Sequence, residues 1–322
     1  MRTFIVLAIL AFACEAPAAE TKDASEARRI LSRYLATVHP EGPSRTDPYD
    51  PKVDAQVNKA RLARLSILAE LKAMPTEAVS AAGPVLFEQA GPVQRHEITG
   101  FLSDSIHTRE CAELLHRVLQ DVREPRDEDA ALYEELVRCS AVHGLRMMAR
   151  RTDRSGGKRL QRKPDFEPQV PGLAPYLVSA ANDKAERVRV SALYALADSR
   201  DPVAAAELRN RLEDRSEKVR LYAACFLTEY QDAAGLPEMR KALSRLKEAE
   251  PKNDFTHYTQ VEMLLASFER ITGKSFGEIP LNPLLSSVTH GAAGGAQRYK
   301  ELLGVWEAWW NWQPGEKPAR NP

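Results

Sequence analysis

Asn182-Asp-Lys-Ala-Glu-Arg-Val-Arg-Val-Ser-Ala192 and Glu213-Asp-Arg-Ser-Glu-Lys-Val-Arg-Leu-Tyr-Ala223 are two versions of one segment, 31 residues apart. Asp183 stands over Asp214, Val188 over Val219, Arg189 over Arg220 and Ala192 over Ala223. The same spacing places Leu196 over Leu227, Asp201 over Asp232, Leu208 over Met239 and Leu212 over Leu243. Val188, Ala192, Ala195 and Leu196 recur at three- and four-residue steps, the period of a helix with one buried stripe. Asp201-Pro202 starts a second helix, because proline at the first helical position gives up an N–H that has no partner there anyway. One helix pair cannot bury such a stripe on both sides, so units of this length must stack.

The order Asp-x4-Val-Arg-x2-Ala-x3-Leu, then Asp-Pro, then a Leu-x3-Leu helix, resembles the HEAT repeat, especially its short bacterial version. The resemblance is strongest over 171–248. It implies an all-α fold, a right-handed α-solenoid of stacked antiparallel helix pairs. In HEAT proteins the matching Asp and Arg form a ladder between repeats, which gives Asp183, Arg189, Asp214 and Arg220 a structural role. The two aspartates also stand where helix N-caps stand, and Ala192 and Ala223 are small enough for neighbouring helices to approach closely.

Upstream the helix-turn-helix rhythm continues with less regular sequence. Val57, Leu62, Leu65, Leu68 and Leu71 predict a helix over 53–74 that ends at Met74-Pro75. Further helices are expected near 77–90, 92–104, 108–121 and 127–150, and an amphipathic one over 24–38. Pro40, Pro43, Pro48 and Pro51 make a linker between that first helix and the array. The count approaches a dozen helices with no strand pattern. The organisation expected is a leader over 1–18, an N-terminal helix and linker over 19–52, a repeat array over 53–273, and a linker with a Trp-rich capping helix over 274–322.

The leader has one basic residue, Arg2, and an apolar run from Thr3 to Ala13, too short for the roughly 20 residues that cross a bilayer. Ala16-Pro17-Ala18 offers the small-x-small pattern read by signal peptidase, predicting cleavage before Ala19 and an exported, periplasmic or envelope protein. Ala11-Phe12-Ala13-Cys14 resembles a bacterial lipobox, so a lipid anchor at Cys14 is the alternative. The chain balances 45 basic against 45 acidic residues. That removes any global pull toward nucleic acid or anionic membrane and sends the search for partners to local features.

One local feature is basic. Arg146, Arg150, Arg151, Arg154, Lys158, Arg159, Arg162 and Lys163 face Asp153 alone, around Ser155-Gly156-Gly157. This predicts a mobile loop, either a solvated connector or a docking site for an acidic partner protein, a lipid phosphate or an anionic envelope polymer.

All four tryptophans fall within 306–312. Tyr299, Leu302, Leu303, Trp306 and Trp310 share a helical face, and with Trp309 they are read as a cap over the apolar end of the last repeat. Thr272-Gly273-x-x-Phe276-Gly277 followed by Trp306-x-x-Trp309-Trp310 is similar to a tail of secreted bacterial HEAT-repeat proteins. Gly291, Gly294 and Gly295 lie in the connector between the two halves.

No catalytic, cofactor or metal site is assigned. Gly273-Lys274-Ser275 resembles the end of a phosphate loop, but Phe268 occupies the position of its first glycine, and Gly273 reads as a helix terminator with positive φ. His96-Glu97 is a single pair, whereas the HEAT-repeat hydroxylases that bind two irons repeat theirs. Cys111 and Cys139 lie 14 residues either side of position 125, level with each other in an antiparallel hairpin. They are either a disulfide worth roughly 3–4 kcal/mol or two buried thiols. Cys139 shares its stripe with Leu132, Leu136 and His143, and Cys225 reads as a small packed residue.

The expected function is therefore a non-catalytic scaffold or adaptor of the bacterial envelope, with scaffolding implied by the HEAT resemblance. The alternative is an enzyme in the solenoid groove, as in the bilin lyases with HEAT-like repeats. The HEAT-like DNA glycosylases are disfavoured by export and neutral charge.

Overall fold

Helix stripes decide the architecture, and in a computed structural model they can be followed through residues 22–37, 65–150, 168–248, 255–275 and 291–312. Within these, all side chains are described except those of 255–258, 291–299, 309 and 312. The leader, Cys14, the proline linker, positions 53–64, the basic residues from Arg151 to Lys163, and the side chains of Tyr299 and Trp309 lie outside the described residues. The chain divides into two units, Met1–Ala90 and Gly91–Pro322, a boundary inside the span expected as one array.

In the first unit, α1 (Lys22–Leu35) buries Ala27, Ile30, Leu31 and Tyr34, the i, i+3, i+4, i+7 pattern of one helix face. It packs on α3 (Pro75–Pro84), and Arg33 meets Glu70 of α2 (65–72) at 3.1 Å. Of the leucines expected in the stripe of α2, Leu71 is buried but Leu65 is 52 % exposed, and Ile67 takes the inward position. Pro84 lies inside α3 and lacks an N–H. One π turn, Val85–Gln89, follows and closes with Ala90 N donating to Val85 O at 2.8 Å.

The second unit begins at Gly91-Pro92, where Gln94 Oε1 accepts the Gly91 N–H at 3.2 Å and proline takes the first helical position. Its helices are α4 (Pro92–Ser105), α5 (Arg109–Gln120), α6 (Glu128–Ala149), α7 (Ala174–Ala180), α8 (Glu186–Ser199), α9 (Pro202–Asn210), α10 (Glu217–Leu227), α11 (Leu236–Glu248), α12 (Phe255–Thr272) and α13 (Gly291–Trp312). Starts are set by local oxygens: Thr108 accepts from Cys111 N, Asp127 from Ala130 N, Asp201 from Val203 N and Ser216 from Val219 N. The helices α4, α6, α8 and α10 pack each on the next, while α5, α7 and α9 pack beside α6, α8 and α10. Val188, Ala192, Ala195 and Leu196 of α8 are all fully buried, as the stripe predicts.

This is an all-α solenoid, and among the described residues there is no strand. Two helices close alike: Arg200 and Gln231, one repeat apart, adopt φ values of 51° and 56°. Gly273 ends α12 with φ 67° and donates to Glu269 O at 2.9 Å, as its reading as a terminator requires. Two close approaches depend on missing side chains. A Cβ on Gly144 would lie 2.6 Å from Leu115 Cδ1 and Ser103 Oγ, and one on Gly235 2.6 Å from Ala224 Cα.

The last helix corrects one expectation. Gly291, Gly294 and Gly295 belong to α13 rather than to a connector. Three glycines weaken a helix by about 1 kcal/mol each relative to alanine, and the packing that anchors α13 lies further along, at Leu302, Leu303 and Trp306.

Candidate functional site

Four arginines, Arg95, Arg138 and Arg189 buried and Arg220 partly buried, tie successive helices of the second unit together. Arg95 on α4 reaches both oxygens of Glu134 on α6, at 2.8 and 2.7 Å, and Asp121 at 2.9 Å. Arg138 on α6 reaches Asp183 before α8 at 2.8 Å, and Arg189 on α8 reaches Asp214 before α10 at 3.0 and 2.9 Å. Arg220 on α10 reaches Glu238 on α11 at 3.1 Å. Three of them also use Nη1 on a backbone carbonyl: Arg138 on Glu134 O, Arg189 on Asp183 O and Arg220 on Asp214 O. Pairing and hydrogen bonding in this way offset the desolvation penalty of burying a charge; at Arg95 burial still outweighs its partners and lowers its pKa, and its Nε has no hydrogen-bond partner.

The ladder expected at Asp183, Arg189, Asp214 and Arg220 is present, with one change. Asp183 and Asp214 are not the N-caps. They stand two residues earlier and accept the Ala185 and Ser216 N–H groups at 2.7 and 2.8 Å, so each aspartate closes a turn with one hand and holds an arginine with the other. The rungs at Arg95 and Arg138 were missed in the sequence. For Arg138 a signal existed: Val137-Arg138-x2-Ala141-x3-Leu145 repeats Val188-Arg189-x2-Ala192-x3-Leu196. It was hidden because Leu132 replaces the aspartate and the following spacing is 51 residues rather than 31.

A second, more exposed set of pairs crosses the same helices. Glu135 meets Arg187 at 3.2 Å, Glu186 meets Lys218 at 3.8 Å, and Glu217 meets Arg245. At the other end of the helices, Arg146 meets Asp198 at 2.7 Å and lies over the Tyr194 ring at 5.2 Å, and Glu229 joins Arg200 and Arg270 at 3.5 and 3.0 Å. Tyr194, Tyr222 and Phe226 form an edge-to-face cluster with centroids 4.7 to 6.0 Å apart. Burial raises the pKa of both tyrosines.

These contacts correct the reading of the basic stretch at its start. Arg146 belongs to α6 and is bound to α8, and Arg150 stands 3.9 Å from the same Asp198. The six basic residues from Arg151 to Lys163 lie outside the described residues.

The disulfide is not formed: Cys111, Cys139 and Cys225 are free. Cys111 is turned toward α4, its thiol 3.7 Å from Leu102 O, whereas Cys139 meets Ser191 Oγ of α8 at 4.0 Å. The two thiols face different neighbours. The inward stripe of α6 is Val137, Ala141, Leu145 and Met148, with Leu132 and His143 exposed, so Cys139 sits on its flank. Burial pushes the thiols of Cys111 and Cys225 up to about 12 and that of Cys139 to about 11.

At the far end, Trp306 is buried and stacks on Phe268 with centroids 5.1 Å apart, and Trp310 lies tilted against the same ring at 5.5 Å. Glu307 of α13 bonds to Lys247 and to Ser244 of α11, the latter at 3.2 Å. Thus α13 packs on α11 and α12 through Leu302, Leu303, Trp306 and Trp310. Beside it lies a cleft of about 650 Å³ lined by Leu236, Pro237, Arg240, Lys241, Ser244 and Trp310.

His96 Nδ1 lies 3.3 Å from Ser140 Oγ. Among the described residues no three His, Cys, Asp or Glu side chains are gathered for a metal ion, and no helix is long and apolar enough to cross a membrane.

Stacked helix pairs joined by cross-repeat arginine–carboxylate rungs define the class, a HEAT-like helical repeat protein. The PBS lyase HEAT-like repeat matches residues 188–214, which take in Arg189 and Asp214. Among solved structures the chain is similar to human deoxyhypusine hydroxylase in complex with glycerol, at 15 % identity and a TM-score of 0.24, covering 88 % of this chain and 97 % of that one. No curated protein matches the chain.

Proposed function

We propose that this protein is a non-catalytic interaction scaffold of the bacterial cell envelope, exported by its leader and binding another protein through its repeat helices. The observation that carries the reading is the lateral packing of α6, α8 and α10, which sets their outer sides next to one another as one surface. Two rows of inter-helix ion pairs hold that surface in register. Rigid surfaces built from neighbouring repeats are what such folds use for macromolecular recognition. The basic residues Arg151, Arg154, Lys158, Arg159, Arg162 and Lys163 add a contact for an acidic protein surface or anionic polymer, while Arg146 and Arg150 serve Asp198.

Cross-linking in the native envelope tests the reading. A captured protein whose yield falls with added salt and with neutralisation of Arg154, Lys158, Arg159 and Arg162 is the expected result. No captured protein, together with tight binding in a small-molecule screen, overturns it. N-terminal sequencing of the exported chain distinguishes cleavage before Ala19 from lipidation at Cys14.

A further inference from the structure

The cleft between α11 and α13 combines an apolar wall with surplus positive charge. Leu236, Pro237 and Trp310 supply the wall, and Arg240, Lys241 and Ser244 the polar side. Trp310 lies tilted against Phe268 and is partly buried, which restricts its rotation and lowers the entropic cost of a contact at its exposed part.

The nearby carboxylates are already engaged. Glu238 is held by Arg220 at 3.1 Å as well as by Lys241 at 3.4 Å, and Glu307 is held by Lys247 and Ser244. Arg240 is different: its Nη2 donates to the neutral side-chain oxygen of Asn311 at 2.9 Å, which orients the guanidinium without discharging it. Lys241 has a side-chain exposure of 74 %. A cleft of about 650 Å³ is the size of a small-ligand site. This one lies on the surface between two helices, with Pro237, Arg240 and Lys241 of α11 exposed along it, where a small molecule would stay largely in water but an extended chain can enter and leave.

We propose that this cleft seats a short acidic segment of the partner protein, with an apolar or aromatic side chain against Trp310 and an adjacent carboxylate on Arg240 and Lys241. The assignment rests on the scaffold reading above and names the chemistry of the partner.

A random dodecapeptide display library selected on the full chain provides the test, with Arg240→Ala/Lys241→Ala and Trp310→Ala variants run in parallel. Both cations are exposed and their removal leaves the melting temperature in place, which thermal unfolding verifies. The expected result is enrichment of peptides carrying Phe, Leu or Ile within two residues of Asp or Glu. A synthetic winner should bind the double variant at least tenfold more weakly and should change the emission of the tryptophans at 306–312. Peptides without acidic residues, winners that bind the double variant equally well, or no enrichment over it would each overturn the cleft assignment. None of these outcomes touches the envelope cross-linking result, so the two readings fail separately.

Discussion

Arg189 and Asp214 meet as a bidentate pair, with 3.0 and 2.9 Å contacts and side-chain exposures of only 5 % and 4 %, across the junction between two repeats. Removing Asp214 leaves a buried guanidinium without its counter-charge. The expected cost of Asp214→Ala is about 3–5 kcal/mol, read as a lowered midpoint of urea unfolding. Pairing it with Arg189→Met should recover most of that loss, short of the turn bond to Ser216 N. A double variant as unstable as the single would show that the pair is not the source.

The same aspartate sets a pH dependence. Burial opposes its charge, but the Arg189 hydrogen bonds, the Ser216 N–H and the Arg189 and Arg211 charges outweigh that and hold its carboxyl below the usual value. A folded-state pKa below the unfolded one stabilises at pH values above about 4, and the contribution is lost as pH falls through the folded value. Melting temperatures of the wild type and Asp214→Asn should therefore differ most near pH 7 and converge as pH falls below the usual carboxylate range.

Two glycine substitutions should rank in order. At Gly235 the added methyl meets Ala224 backbone atoms at 2.6 to 2.9 Å, which cannot rotate away. At Gly144 two of the three close atoms are side-chain tips that can move. Gly144→Ala should cost about 1–3 kcal/mol and Gly235→Ala more; thermal melts of the two variants check the order.

The cap should carry real stability. Trp306→Ala should cost about 3–5 kcal/mol, the range for a buried aromatic, and removing 295–322 should lower both solubility and melting temperature. Unchanged melting after the truncation would count against the cap.

The thiols should be quiet. With burial raising all three pKa values, native protein at pH 8 should react slowly with a disulfide reagent, Cys139 first. Unfolding without reductant should release Cys111, Cys139 and Cys225 together, since no bridge joins them.

Residues whose role repeats at a constant interval could be read directly from the chain. Val188, Ala192, Leu196 and the Arg189–Asp214 rung follow from the 31-residue period and the helical stripe. Arg138 could not, because the long segment between α6 and α7 breaks the period and Leu132 stands in place of the aspartate. The cysteine pairing failed for another reason: hairpin arithmetic fixes height along two helices but not rotation about them, and Cys139 is rotated toward α8. The cleft at Arg240 was invisible for a third, since it exists only where α13 returns over α11 across more than 60 residues.

The rungs also constrain how such a chain can change length. Each arginine reaches forward to a carboxylate of the next unit, so excising residues 183–213 would bring Asp214 to Arg138 and leave Arg220 on Glu238. One rung would vanish and none would be broken. A cut that fell between Asp183 and Arg189, removing one and keeping the other, would leave an arginine or a carboxylate without its partner. Growth and loss by whole repeats are thus the permitted moves, and the two glutamates at the ends, Glu134 and Glu238, mark where the repeated text gives way to its punctuation.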